Sequence, residues 1–304
     1  MSIRRILAAS DFSAAAQRAA DRAVQLAEAA GSSLLLLHAR QHGSWLEGLG
    51  ANEVDPQLRQ QLDAAIGDAL EAERSRLASG GVEVQAELLP DALYRELDGL
   101  LVRRPAQLLV MGAHGEASWK DLLLGSTADR VLRLHRLPVL LVRNPCVGPY
   151  ARIALATDFS AASEQAARFA LDLLPATRAM LVHAHEPEFQ SSLAFAGVVA
   201  TLRESYLGES ARRAHGKMTQ FAQRLGKSDA LPALRSGRPG SVLPALVEEA
   251  SIELMVLGVS GRSGIERGLL GSVSRHAATD LSCDVLLVPA WAVVSHRWGM
   301  NTMQ

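Results

Sequence analysis

The sequence predicts an α/β protein built from two tandem doubly wound domains. Two observations lead to this prediction. Short apolar runs alternate with helical patterns along the chain, and the second half of the chain repeats the first at a nearly constant offset. With 304 residues, the chain is long enough for two domains that each bury a hydrophobic core.

The repeat is visible at three separate landmarks. Residues 4–20, RRILAASDFSAAAQRAA, return as ARIALATDFSAASEQAA at residues 151–167, and LLLLHAR returns as AMLVHAH. The paired positions lie 147 residues apart for Asp11 and Asp158, 145 for His38 and His183, and 146 for Gly112 and Gly258. An offset this constant indicates a duplicated domain and not a solenoid of short repeats.

The segment between the copies is NPCVGPY at residues 144–150, where two prolines and a glycine stop regular structure. We therefore expect a first domain over residues 1–146, a second domain over residues 150–290, and a C-terminal tail over residues 291–304.

Five strands are predicted in each copy. They are ILAA, LLLLHA, VEVQAELL, LLVMG and VLLV in the first, and IALAT, AMLVHA, LPALRS, LMVLG and VLLVP in the second. Runs such as LLLL and VLLV do not alternate between apolar and polar residues. This is typical of strands that are buried on both faces, as in a parallel sheet.

The helix after the first strand has a predicted start in each copy. Ser13 and Ser160 can each cap a helix N-terminus. Small or apolar residues then recur at helical spacing, at Ala16, Ala20, Ala23 and Ala27 in the first copy and at Ala162, Ala166, Phe169 and Leu173 in the second. A later helix is predicted to open at Gly125-Ser126 and at Gly271-Ser272.

Composition excludes several classes of protein. Apolar residues make up 48%, charged residues 21%, and the net charge is −1, which argues against nucleic-acid or membrane partners. Cys146 and Cys283 form neither a ligand cluster nor a disulfide framework, which favours a reducing cytoplasm. The segment before Asp11 is too short for a signal-peptide core, and no apolar run approaches a membrane span. We expect a soluble cytoplasmic protein.

A glycine loop that occurs once in each copy leads to the functional prediction. Residues 109–126 read LVMGAHGEASWKDLLLGS, and residues 255–272 read MVLGVSGRSGIERGLLGS. Each contains glycine, two residues, glycine, nine residues, glycine and serine. These positions are Gly112, Gly115, Gly125 and Ser126 in the first loop, and Gly258, Gly261, Gly271 and Ser272 in the second.

Each loop follows a strand and ends where a helix is predicted to begin. Open α/β sheets bind ligands at the carboxyl ends of their strands, and a helix N-terminus offers free amides and a positive dipole end to phosphate. Glycine lets the backbone approach an anion closely. The alternative is that these glycines only permit turns and caps. Their matching positions in a repeat favour phosphate binding by at least one copy.

These residues resemble the nucleotide-binding branch of the universal stress protein family. Its ATP-binding signature is this Gly-x2-Gly-x9-Gly-Ser/Thr, preceded by an aspartate at the end of the first strand, here Asp11 and Asp158. The resemblance spans almost the whole chain. It implies a Rossmann-like five-stranded parallel sheet in each domain, of the adenine nucleotide alpha hydrolase-like type, with the first and fourth strands adjacent. It also implies adenine near the aspartate and the second strand, and phosphates on the loop.

Carried over position by position, the resemblance implies two sites for ATP or another adenine nucleotide, with Mg. The second site would comprise Ala156, Thr157, Asp158, Ala184, Leu257, Gly258, Gly261, Arg262, Gly271, Ser272 and Val273. The first would comprise Ala9, Ser10, Asp11, Ala39, Met111, Gly112, Gly115, Gly125, Ser126 and Thr127. It stays open whether each aspartate meets the nucleotide or only shapes the turn into the next helix.

Charge in the loops predicts that the second site binds more tightly. Between its second and third glycines it carries Arg262, Arg267 and Glu266, a net +1, whereas Lys120, Glu116 and Asp121 give the first loop a net −1. Trp119 adds bulk to the first loop, although His114 could add charge there when protonated. The second copy also keeps a glycine turn after its third strand, LRSGRPGS, where the first has LLPDALYR.

Members of the resembled family typically pair through their last strands. The resemblance therefore implies an intrachain pseudo-dimer formed through VLLV at residues 139–142 and 285–288, and it leaves room for a homodimer of the whole chain. An apolar strand on an open sheet edge favours such pairing.

Other functional patterns are weaker. The lysine of a P-loop and the GxGxxG fingerprint are both absent. His183, His185 and Glu186 could form a metal site, but the first copy has Arg40 where the second has His185. No catalytic residues can be assigned. Three function classes stay open: a stress protein that binds ATP as a regulatory ligand, a slow ATPase, and a ligand-free interaction module.

Overall fold

The computed structural model describes residues 3–40, 56–78, 80–113, 125–134, 137–185, 200–227, 230–259 and 271–290. The described part divides into two compact units that meet in sequence between Pro149 and Tyr150. Within it, no helix combines the length and the apolar character needed to cross a membrane.

The first unit is a five-stranded parallel sheet with helices between its strands. Its strands are β1 (Arg5–Ser10), β2 (Ser33–Ala39), β3 (Val84–Leu89), β4 (Leu108–Gly112) and β5 (Val139–Val142), in the order β3-β2-β1-β4-β5. Its described helices are α1 (Ala14–Ala30), α2 (Pro56–Ala78), α3 (Leu93–Arg103) and α4 (Ser126–Leu134).

The second unit repeats this architecture. Its strands are β6 (Arg152–Ala156), β7 (Arg178–His185), β8 (Leu231–Ser236), β9 (Leu254–Val259) and β10 (Asp284–Pro289), all parallel, in the order β10-β9-β6-β7-β8. Its described helices are α5 (Ala161–Leu173), α6 (Ala200–Leu225), α7 (Pro239–Ala250) and α8 (Ser272–Asp280). The predicted fold class, with two tandem doubly wound domains, is confirmed.

The strands form where the apolar runs predicted them. The side chains of residues 34–37 in β2 and 139–142 in β5 are at most 1% exposed, which is the burial expected of strands covered on both faces. The predicted inner faces of α1 and α5 are likewise buried. Both helices start at the predicted caps, where Ser13 Oγ accepts from the Ala16 amide and Ser160 Oγ from the Ser163 amide.

The strand order places a topological switch point in each unit. In the first unit β1 lies between β2 and β4, and in the second β6 lies between β7 and β9. The chain leaves β1 and β6 toward one side of the sheet and returns on the other through β4 and β9. A crevice at the carboxyl edge of these strands is where such sheets bind ligands.

Candidate functional site

The carboxyl edge of the second sheet brings together the strand-end residues of the second predicted site. Ala156 ends β6, Ala184 lies near the end of β7, and Gly258 lies near the end of β9. Because the three strands are parallel neighbours, their carboxyl ends meet at one edge. Asp158, two residues past the end of β6, is exposed at this edge.

The first sheet presents the equivalent arrangement. Ala9 pairs in register with Leu37 of β2, and β1 also pairs with β4. Asp11, Ala39 and Gly112 are partly exposed at the carboxyl edge.

Four predicted site residues have side chains that turn away from solvent. Leu257 is 4% exposed, Met111 6%, and Ser10 and Thr157 7% each. At these positions a ligand at the edge would meet backbone atoms, because the side chains are buried. Gly115, Gly261 and Arg262 lie outside the described residues, as do His114, Trp119, Glu186 and the charged residues of both loops.

Both strand-end aspartates shape the turn into the next helix. Asp11 Oδ1 accepts from the Ser13 amide at 3.1 Å, and Asp158 Oδ1 accepts from the Ser160 amide at 3.0 Å and the Ser160 hydroxyl at 2.5 Å. Partial burial is the largest single influence and would raise the pKa of Asp158, but hydrogen bonds from Ser160, from Ser163 and from the Asp158 backbone together hold the pKa below its usual value. The turn role is therefore present in both units.

The residue after each aspartate adopts a left-handed backbone conformation. Phe12 has φ 63° and Phe159 has φ 65°, values that are unusual for a bulky side chain. The Phe12 amide donates to Ser10 Oγ at 3.1 Å, and the Phe159 amide donates to Thr157 Oγ1 at 2.8 Å. Sequence reasoning missed this conformation, although the Asp-Phe-Ser triplet in both copies was a visible signal.

A histidine ring packs against each of these phenylalanines, and it comes from the second strand of the same unit, β2 or β7. The rings of Phe12 and His38 stack with centroids 4.5 Å apart, and those of Phe159 and His183 lie 4.3 Å apart. Each histidine places Nδ1 near the carbonyl oxygen of the residue before the aspartate, 2.9 Å for Ser10 and 2.7 Å for Thr157. A carbonyl only accepts, so Nδ1 carries a proton in both rings.

Burial lowers the pKa of His38, against the opposing effects of the Ser10 carbonyl and the Asp11 charge. His38 is therefore held in its neutral form at neutral pH.

The end of β7 differs from the end of β2. In the second unit His185 Nε2 lies 2.9 Å from Ser210 Oγ on α6, whereas in the first unit Arg40 forms an ion pair of 3.3 Å with Asp63 on α2. Burial, and then the charge on His183, lower the pKa of His185. No group of three or more metal-ligating side chains occurs among the residues with a described placement.

Two glycines of the second loop, Gly258 and Gly271, serve different purposes. A Cβ at Gly258 would lie 2.4 Å from the Ala162 carbonyl oxygen, so this glycine lets the start of α5 pack directly on β9. Gly271 is different. It caps α8 with φ −56° and ψ 151°, which any residue can adopt, and a Cβ at this position would have no described atom within 4 Å.

The amides that open α4 and α8 also differ. The Gly125 amide donates to the Ala113 carbonyl at 3.1 Å. Among the residues that the structure describes, the Gly271 amide has no acceptor. Ser126, Ser272 and Val273 are all exposed beside these helix starts.

Comparison with known proteins gives a consistent result. The sequence model of the universal stress protein family matches residues 2–143 and again residues 149–289. The chain is 29% identical to a universal stress protein of Mycobacterium tuberculosis over 287 residues, covering 90% of this chain and 92% of the relative. It is 24% identical to the universal stress protein E homolog of Haemophilus influenzae over 266 residues, covering 79% and 81%.

Solved structures show the same fold. A universal stress protein from Archaeoglobus fulgidus superposes with a TM-score of 0.67 at 16% identity, covering 95% of this chain and all of that one. A putative universal stress protein from Pseudomonas aeruginosa gives a TM-score of 0.65 at 19% identity, covering 97% and 96%.

Proposed function

The chain belongs to the universal stress protein family as a tandem two-domain member, and from this premise we propose that it binds an adenine nucleotide as a regulatory ligand in the stress response. ATP is the ligand that the glycine signature favours. The proposed sites lie at the carboxyl edge of each sheet, between Asp11 and the start of α4 in the first unit and between Asp158 and the start of α8 in the second.

The conformation of Gly271 is the observation that best supports this proposal. Its backbone angles suit any residue, and a Cβ there would meet no described atom within 4 Å, so the described fold gives no reason for a glycine. A side chain here would, however, cover the first amides of α8, where an anion binds best. A glycine at this position therefore fits a helix start that receives phosphate.

The charge of a triphosphate would be balanced mainly by dipoles and by a divalent cation. The start of α8 supplies backbone amides and the hydroxyl of Ser272, and the loop before it adds Arg262 and Arg267 in sequence. These groups do not match the charge of ATP, so Mg²⁺ completes the compensation. Chelation of magnesium should weaken binding.

The direct test is mass spectrometry of small molecules released from the purified protein, followed by calorimetric titration with ATP and GTP. We expect a released adenine nucleotide and a preference for ATP. Equal binding of GTP would contradict an adenine-directed pocket. A turnover assay with Mg²⁺ separates a regulatory ligand from the slow ATPase.

A matched pair of variants tests whether the start of α8 is the binding element. Gly271→Val should weaken ATP binding to the second unit because its side chain covers the helix amides. Gly216→Val is the control, since Gly216 also has open space at its Cβ position but lies within α6. Loss of binding in the control alone would refute the proposed site.

We also propose that the protein acts in the cytoplasm. The chain has two cysteines, Cys146 and Cys283, and the structure shows no disulfide at either position, which suits a reducing compartment. Fractionation of cells that express the full chain tests this proposal.

A further inference from the structure

Each unit keeps a bulky residue in a left-handed conformation at the same place, directly after the strand-end aspartate. The residues are Phe12 and Phe159. Among the described residues, Ser251 also has a positive φ without being glycine, but it ends α7, where this conformation is ordinary. A glycine would make the same chain reversal without strain. The two phenylalanines therefore hold a strained conformation that another residue type would relieve.

A closed set of contacts maintains that conformation. In the second unit the Thr157 hydroxyl accepts the Phe159 amide, the Phe159 ring rests on His183, and His183 donates to the Thr157 carbonyl. The fully buried Phe221 of α6 meets the Phe159 ring edge-on at 6.1 Å. The first unit has the same set through Ser10, Phe12 and His38.

The aspartate lies between the two residues that this set holds. Thr157 is fixed through its hydroxyl and its carbonyl, and Phe159 through its amide and its ring, so the backbone of Asp158 is restrained from both sides. Asp158 itself uses Oδ1 to accept from Ser160, which starts α5. Its carboxylate is thus held at the carboxyl edge of the sheet, at the switch point where β6 lies between β7 and β9. Backbone strain that its surroundings enforce is concentrated at ligand sites.

We propose that Phe159 and His183 are positioning residues for the ligand of the second site, as Phe12 and His38 are for the first. They orient Asp158 and Asp11 in the crevice by holding the turn, and neither ring has to touch the ligand. This inference rests on the proposed nucleotide-binding function.

The test is a set of substitutions at Phe159 in the full chain, with ATP affinity at the second site as the readout. Phe159→Gly keeps the left-handed backbone accessible but removes the ring that holds it. We expect it to weaken ATP binding at least about tenfold, as when a charged hydrogen-bond partner is misplaced. Phe159→Tyr keeps the ring and should bind within about twofold of the parent. Phe12→Gly should leave the second site unchanged.

A double-mutant cycle separates positioning from a general loss of structure. If Phe159 acts through Asp158, the variant that combines Asp158→Asn with Phe159→Gly should bind no more weakly than Asp158→Asn alone. Thermal melting without ligand confirms that each variant is folded. Additive losses in the cycle, or parental affinity in Phe159→Gly, would overturn the inference while leaving the proposed function intact. Failure of the parent protein to bind any adenine nucleotide would overturn both.

Discussion

At the scale of single residues, Gly258 and Gly271 show how one signature combines two physical demands. A Cβ at Gly258 would also lie 2.7 Å from the Ser163 amide nitrogen, and neither that atom nor the Ala162 carbonyl can move away, because both belong to the backbone of α5. At Gly271 a Cβ would meet no described atom within 4 Å. The first glycine permits close packing of a helix on a strand, whereas the third meets no such demand from the described residues.

This contrast predicts different effects of the same substitution. Gly258→Ala should lower the free energy of unfolding by about 1–3 kcal/mol or more, as overpacking against rigid backbone does. Gly271→Ala should change it by less than about 0.5 kcal/mol. Chemical denaturation of both variants measures the difference. A large loss for Gly271→Ala would show that its glycine serves the fold.

The buried imidazole of His38 predicts a pH-dependent stability. Because burial lowers its pKa in the folded protein, the unfolded chain takes up the proton first, at its ordinary pKa of about 6.5. The stabilisation from neutral His38 is therefore complete above that value and is lost as the pH falls through the folded pKa. The free energy of unfolding of the parent protein should exceed that of the His38→Asn variant by more at pH 7.5 than at pH 5.5.

Denaturation of both proteins at the two pH values checks this sign. His185 titrates in the same direction but is common to both proteins, so its contribution cancels. A difference that grows toward acid pH would contradict the prediction.

At the scale of secondary structure, the sequence predicted elements that local pattern determines. All ten strands lie where the sequence predicted them. Strands such as β2 and β5 form unbroken apolar segments because they are buried on both faces, whereas β3 and β8, each at one end of the strand order of its unit, carry polar residues. Strand boundaries differ slightly from the prediction where backbone pairing with the neighbouring strand determines them. Strand β3 begins at Val84 and not at Val82, and β6 ends before Thr157. The caps at Ser13 and Ser160 were predictable because their hydrogen bonds are local.

The features that escaped prediction depend on contacts between distant segments. The reason for glycine at position 258 is the start of α5, which follows a different strand. The left-handed Phe159 depends on His183 one strand away. The strand ends at the carboxyl edge of each sheet were therefore predictable, but the contacts that support them were not; most of each glycine loop lies outside the described residues.

The strands β5 and β10 lead to a prediction about assembly. Each carries VLLV and each ends the strand order of its own unit, and an edge strand with such an apolar segment favours pairing over exposure. We expect the two units to pair through these strands. Small-angle scattering of the full chain should fit one compact particle, whereas a profile of two independently moving bodies would contradict the pairing. Scattering over a concentration series would detect a further homodimer.

At the scale of the whole molecule, the two units have diverged around a common frame. The end of the second strand of each unit contacts the following helix in a different way. In the first unit Arg40 forms an ion pair with Asp63 of α2, and in the second His185 forms a hydrogen bond with Ser210 of α6. The helices after the glycine loops diverge as well. The Arg130 guanidinium lies 4.8 Å from the centre of the Tyr94 ring, whereas His276 contacts the Gly240 carbonyl and Asp280. The two proposed nucleotide sites lie in such different surroundings that we do not expect equal affinities.

The last prediction is that the second unit holds the tighter nucleotide site. Its loop carries a net +1 between the second and third glycines against −1 in the first. The Gly271 amide is free of described acceptors, while the Gly125 amide already donates to Ala113. The turn after β8 also keeps Gly237 at φ 132°, with its amide donating to the His185 carbonyl at 3.0 Å.

Two variants that each add bulk to one helix start decide the ranking. In calorimetric titration with ATP, Gly271→Val should lose the tighter binding event and Gly125→Val should keep it, because each valine covers the amides of only one unit. Thermal melting of both variants serves as the folding control. Loss of the tighter event in Gly125→Val alone would reverse the ranking, and it would mean that His114 or the Mg²⁺ ion compensates for the acidic residues of the first loop.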